Sequence, residues 1–145
     1  MVTGFWKRLL GLAAALAGLA LAGCTAPEEP LAPVHGQVFH NGAPLPGGTI
    51  VFTPDPTRGG NGPSARAEIQ ADGRYVLRTG DQYGAAPGWH RVTIVAVLPA
   101  PAPAPGQRFS HPRSLLPLKY RDPELSGLHG EVKPGEDNAI DFHLD

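Results

Sequence analysis

The chain has 145 residues, enough for one domain of ordinary size. Its 19 Gly and 17 Pro make up about a quarter of the residues, and most of them fall between alternating apolar runs, so they punctuate turns rather than mark disorder. The formal net charge is −1, and the cations are scattered without a basic stripe, which argues against nucleic acid as a partner.

The amino terminus reads as a secretory leader. Lys7 and Arg8 precede an apolar run of Leu, Ala and Gly from Leu9 to Leu21, and small residues follow at Ala22 and Gly23. The run is too short and too rich in Ala and Gly for a comfortable membrane span. Cys24 is the only cysteine, so no intramolecular disulfide can form. The ending Leu21-Ala22-Gly23-Cys24 resembles the lipobox of bacterial lipoproteins. That resemblance implies cleavage between Gly23 and Cys24, a diacylglyceryl group on the thiol and acylation of the new amino group. An ordinary leader that happens to contain a cysteine is the alternative. Two or three acyl chains anchor stably where one binds marginally. Without residues 1–23 the chain loses Lys7 and Arg8, so a net −1 becomes −3 over 122 residues. Thr25, rather than Asp, after the cysteine resembles lipoproteins sent on to an outer membrane, facing the periplasm or the surface.

Residues 24–33 hold the lipidated cysteine and a tether with Pro27, Pro30 and Pro33. Proline spacing of this kind favours extended chain, which at about 3 Å per residue reaches roughly 25–30 Å. The domain is expected over 34–145. Val34, Gly36 and Val38 share one face of a first strand, and Asn41-Gly42 supplies a turn with positive φ. A second strand, about 48–54, stops at Pro54 and Pro56. Thr57 to Pro63 is Gly-rich but lacks the Lys-Ser/Thr ending of a phosphate-binding loop. Ala65, Ala67 and Ile69 then alternate with polar residues, Asp72-Gly73 closes a hairpin with both turn residues at positive φ, and Tyr75 and Leu77 alternate with Arg74 and Arg78. Val92, Ile94, Ala96 and Leu98 share one face of the next run, and Tyr75 and Trp89 are expected to fill the core.

Seven strands are expected, at about 34–40, 48–54, 64–70, 74–79, 89–98, 128–133 and 138–144. They suit an all-β fold, a seven-stranded antiparallel Greek-key β-sandwich. The order Asn-Gly-x-Pro-Leu at 41–45, Gly-x-Ile-x-Phe-x-Pro at 48–54, Asp-Gly-x-Tyr at 72–75 and Gly-Ala-x-Pro-Gly-Trp at 84–89 resembles the carboxypeptidase regulatory-like, or transthyretin-like, β-sandwich. Pro117 to Leu128 and Val132-Lys133-Pro134-Gly135 continue the likeness, which covers Val34 to Asp145 and is similar to small bacterial lipoproteins carrying this domain alone. The resemblance implies a fold and leaves the activity open, because such domains are grafted onto many functions.

Residues 99–116 form a long Pro-rich loop, beginning Pro99 to Pro105 as alternating Pro and Ala. Its Arg108, Phe109, His111 and Arg113 are the candidate interaction surface, and Leu118 and Tyr120 in the following turn are expected to pack inward. The six histidines lack a His-x-His or Glu-x-x-His pair, so no metal site and no cofactor is assigned. His35 and His143, on strands expected to be adjacent, are the pair that would come nearest to one. Asp55, Asp72 and Asp81 read as turn acids, without calcium-loop spacing. No Gly-x-Ser-x-Gly occurs. The transthyretin-related hydrolases end in Tyr-Arg-Gly-Ser, whereas Tyr120-Arg121 is internal here and Asp122 follows it. The expectation is a non-catalytic module, anchored to the membrane by its amino-terminal lipid, that binds an envelope protein or a polysaccharide. A structural lipoprotein without a specific partner and a small hydrolase are the alternatives.

Overall fold

The computed structural model describes residues 29–98, 100 and 102–145. The leader, Gly23 and Cys24 therefore lie outside the described residues. The strands are β1 (Val34–His40), β2 (Ala43–Pro44), β3 (Gly48–Pro54), β4 (Ala65–Ile69), β5 (Arg74–Val76), β6 (Arg78–Thr79) and β7 (Gln82–Tyr83). They continue as β8 (Gly88–Val95), β9 (Val97–Leu98), β10 (Arg113–Ser114), β11 (Leu128–Val132), β12 (Asn138–Ala139) and β13 (Phe142–Leu144). Among the described residues, helix is confined to single 3-10 turns at Pro56–Arg58 and Leu118–Arg121. One sheet has the order β11-β8-β3-β4-β6-β7, and its pairings are antiparallel. The other is built around β1, flanked by β12 and β13 and also paired with β2 and β5.

The alternation seen in the sequence decides the core. β4 buries Ala65, Ala67 and Ile69 and exposes Arg66 and Glu68. β3 buries Ile50 and Phe52, and β8 buries His90, Val92 and Ile94. Facing them from the other sheet are Val34, Val38, Tyr75, Phe142 and Leu144. Phe52 is the hub, its ring 6.3 Å from Tyr75 and 5.9 Å from Phe142, centroid to centroid. Aromatic contacts at that spacing add to the area each ring removes from water.

Several boundaries differ from expectation, each for a physical reason. The run 74–79 is two strands: β5 pairs with β1, while β6 pairs with β4 in the opposite sheet. The chain changes sheets at Leu77, whose N–H donates to the Val34 carbonyl at 2.9 Å. The hairpin at Asp72-Gly73 closes through Gln70 and Arg74, at 2.8 Å, but Gly73 (φ 82°) is the residue of the pair at positive φ. This is the geometry of a three-residue hairpin loop, with the glycine left-handed. Asn41 (φ 52°) and Gly42 (φ 81°) do form the expected two-residue turn between β1 and β2.

The run 89–98 also breaks. β8 ends at Val95, and Val97–Leu98 pair instead with Arg113–Ser114, leaving Leu98 exposed rather than in the core. Most notably, the last run is not antiparallel. β12 and β13 both run parallel to β1, with Val34 opposite Asn138 and Val38 opposite Phe142.

That parallel ladder is interrupted at Ile140 and Asp141, and three residues repair it. The Gln37 N–H donates to the Asp141 carboxylate at 2.7 Å, and the Tyr75 hydroxyl donates to the Ile140 carbonyl at 2.6 Å. That carbonyl points at Gly36, where a β-carbon would stand 1.8 Å from its oxygen. Only glycine permits the approach. Burial, reinforced by the Asp141 charge, pushes the Tyr75 hydroxyl far above its ordinary pKa, so it stays a proton donor.

Two core assignments change. Trp89 lies on the outer face of its sheet, half-buried beneath the Arg58 guanidinium at 4.9 Å, and its neighbour His90 takes the core position. In the turn after Pro117, Tyr120 packs inward but Leu118 is 70% exposed. Leu116 and Leu45 are buried instead.

Candidate interaction surface

Which pole of the sandwich each segment occupies follows from β8. Just before it, Ala85 pairs with Ala32, so the tether enters the domain where β8 begins. At its other end, β9 and β10 form a two-stranded hairpin held by Leu98–Arg113 and Val97–Ser114 pairing. The Leu115 N–H closes on the Ala96 carbonyl at 2.9 Å, and buried Leu116 fixes the returning chain. The Pro-rich loop expected over 99–116 therefore ends in ordered structure from Arg113 onward. Eight residues of β8 separate the tether from this hairpin, which is about 26 Å at strand rise.

The structure brings the four predicted contact residues together. Gln107, Arg108, Phe109, Ser110, His111 and Arg113 line one shallow depression of about 560 Å³. Phe109 is 79% exposed, the most exposed large apolar side chain among the described residues. A turn at Pro105-Gly106, closed by the Gln107 N–H on the Ala104 carbonyl at 2.9 Å, leads into it, and proline at 103, 105 and 112 prevents the segment from folding back as helix. A second groove, of about 800 Å³, lies at the tether pole between Leu31, Gly59, Asn61, Pro63, Thr79 and Gln82.

The histidines do not assemble. β1 and β13 are adjacent as expected, but Phe39 rather than His35 stands opposite His143, stacking on it at 4.8 Å. His35 instead meets Asp137 at 3.2 Å. Among the described residues no three His, Cys, Asp or Glu side chains are grouped to hold a metal ion. His90 is fully buried, with Nδ1 3.0 Å from the Gly88 carbonyl and Nε2 unpartnered, so it is not a surface histidine. Burial lowers its pKa, against the Gly88 hydrogen bond, and keeps the ring neutral.

A feature missed from the sequence is the ion cluster on the outer face of the six-stranded sheet. Asp55 is buried and caps the 3-10 turn, accepting from the Thr57 hydroxyl at 2.6 Å and the Thr57 N–H at 3.1 Å. Arg91 lies 3.2 Å from the same carboxylate oxygen and also pairs with Glu124. The Thr57 hydroxyl, opposed by burial and joined by Arg91, holds the Asp55 carboxyl down at about 2. The Asp55-Pro56-Thr57 start of a capped turn was readable; Arg91, thirty-six residues on, was not. Asp72 behaves as the expected turn acid, accepting from the Arg74 N–H at 3.1 Å, while Asp81 offers its carbonyl to Arg78 at 2.9 Å. Asp55, Tyr75 and His90 are thus each committed to holding the fold, and none of them lines the depression at 107–113.

No family model, curated protein or solved structure matches this chain.

Proposed function

We propose that the chain is a lipid-anchored envelope module, non-catalytic, that binds a protein or polysaccharide partner through the hairpin pole opposite its tether. The carrying observation is Phe109, 79% exposed beside Arg108, His111 and Arg113 around a single depression. An aromatic anchor flanked by guanidinium groups is the composition that interface hot spots favour. The Leu-Ala-Gly-Cys ending at residues 21–24 supports the anchor, and the cysteine would carry two or three acyl chains into a membrane. In this reading the sandwich is of the carboxypeptidase regulatory-like type, with short strand segments grouped as seven Greek-key strands. The two-residue turn at Asn41-Gly42 and the facing apolar layers favour it.

The test is in-cell crosslinking of the full chain, followed by mass spectrometry, against a deletion of residues 100–112. That deletion spares Ser114 and buried Leu116, so the domain keeps its core. One dominant captured partner, lost on deletion, is the expected result. Capture of bulk envelope material alone, unchanged by the deletion, would overturn the proposal in favour of a structural lipoprotein.

A further inference from the structure

The cations of this chain are scattered, but its carboxylates are segregated in sequence. Between Asp81 and Asp122 lie forty residues with no Asp or Glu and five cations, Arg91, Arg108, Arg113, Lys119 and Arg121. From Asp122 to the end the balance reverses, with seven carboxylate residues and one cation, Lys133. The fold preserves this asymmetry. Arg91 is committed to Asp55 and Glu124. Elsewhere Arg58 pairs with Asp55 and Arg74 with Asp72. Arg108, Arg113, Lys119 and Arg121 form no ion pair among the described residues. Arg121 donates to the Ser114 hydroxyl at 3.1 Å, which ties the turn at 118–121 to β10, and Lys119 sits 4.7 Å over the Tyr120 ring. Asp145 also reaches this pole, its main-chain N–H 3.2 Å from the Tyr120 hydroxyl, so Lys119 shares its surroundings with an acidic residue. Among the described residues Arg66 and Arg78 on the six-stranded sheet also form no ion pair, but Glu68 and Asp81 lie within three residues of them, whereas the arginines of the hairpin and turn sit in a stretch, 82–121, with no carboxylate at all.

Resting on the proposed binding role of this pole, we propose that its partner is an acidic polysaccharide. Arg108 and Arg113 line a shallow depression rather than an enclosed pocket, and Arg121, tied to Ser114 beside Arg113, extends the row; three guanidinium groups strung over fourteen residues fit a ligand whose charge repeats along a chain. Guanidinium groups pair bidentately with carboxylate and phosphate alike. The protein's own membrane is the poorer fit, because the hairpin stands a full β8 length from where the tether enters. The carboxylates elsewhere in the chain repel a polyanion while 82–121 carries none, which orients the encounter toward this pole.

The C24S variant of the full chain, which carries no acyl chain and needs no detergent, is titrated with polygalacturonate, with uncharged dextran, and with vesicles of phosphatidylcholine and phosphatidylglycerol (3:1). The expected result is polygalacturonate binding that weakens with salt, and an R108Q/R113Q/R121Q variant at least tenfold weaker, its logarithmic salt slope reduced by about 2–3. A phosphate-bearing glycan in place of polygalacturonate distinguishes the two anion chemistries without altering the prediction for the variant. An R66Q/R78Q control, removing two exposed cations from the sheet face, retains full binding. Circular dichroism spectra matching the parent establish that each variant folds. Equal binding of dextran, equal loss in the control, or vesicles preferred over polygalacturonate would each overturn the inference. If crosslinking captures one protein through residues 100–112 while the glutamine variant captures it equally well, the binding role stands and the polysaccharide assignment falls.

Discussion

Replacing Gly36 with alanine tests the account of how the parallel ladder closes. The added β-carbon would lie 1.8 Å from the Ile140 oxygen and 3.0 Å from the Tyr75 hydroxyl. Ordinary contact begins near 3.4 Å, so the Ile140 carbonyl must move by more than 1 Å, and it belongs to backbone held on both sides: the Ile140 N–H donates to His35 and Asp141 accepts from Gln37. Overpacking of this kind costs about 1–3 kcal/mol. Breaking the 2.6 Å bond from Tyr75 strands a buried donor and adds about 1–3 kcal/mol. The sum, about 2–6 kcal/mol, is a large part of the roughly 5–15 kcal/mol that holds a domain folded. At about 4 °C per kcal/mol for a domain of this size, the midpoint of thermal unfolding drops by roughly 8–24 °C. Urea unfolding measures the free-energy loss and a thermal scan the midpoint, both followed by far-ultraviolet circular dichroism. The partner variant Tyr75→Phe is expected to cost about 1–3 kcal/mol alone, and the double variant should cost less than the sum, since both substitutions remove the same bond. A Gly36→Ala protein within about 0.5 kcal/mol of the parent, the range of an ordinary surface change, would refute the argument.

Other predictions follow from the same structure. Asp55 is ionised in the folded state down to about pH 2, against an ordinary 3.8. Its stabilisation is therefore complete above the ordinary value and lost as pH falls through 2, and Asp55→Asn should flatten that stretch of the acid-unfolding curve. His90 is held neutral, so the unfolded chain gains a proton that the folded one does not, and stability falls as pH drops below about 6.5. His90→Phe keeps a ring beside Phe52, 5.8 Å away in the parent, and removes the orphaned Nε2. Urea midpoints measured between pH 7 and 5 should lose their slope in that variant, and an unchanged slope would move the titration elsewhere. Cys24→Ser should shift the protein from the membrane fraction to the soluble one, as read by fractionation and immunoblotting; unchanged partitioning would count against the lipid anchor.

Strand identity was legible where burial falls on one face. Ala65, Ala67 and Ile69 against Arg66 and Glu68, or Val92 and Ile94 against Arg91 and Thr93, state their orientation through a period of two. The candidate surface was legible for a related reason: Pro105 and Pro112 bracket Arg108, Phe109 and His111, and residues that can join neither helix nor ladder remain at the surface. The period is silent about partners. It could not say that the chain crosses from one sheet to the other at Leu77, because both sheets accept the same alternation. Nor could it show that 138–144 runs parallel to β1, since the direction of pairing leaves no mark on which residues face inward.

The sequence by itself determined the alternating faces, the left-handed turns at Asn41-Gly42 and Gly73, and the absence of carboxylates from 82–121. Each is a property of neighbours in the chain. Tertiary structure decided that His90 rather than Trp89 enters the core, because Trp89 found the Arg58 guanidinium on the outer face while the histidine stood on the side facing Phe52. It decided, too, that Gly36 must be glycine, for the atom that forbids a side chain there belongs to Ile140, over a hundred residues away. Contacts of that separation are made by packing, and no local pattern encodes them.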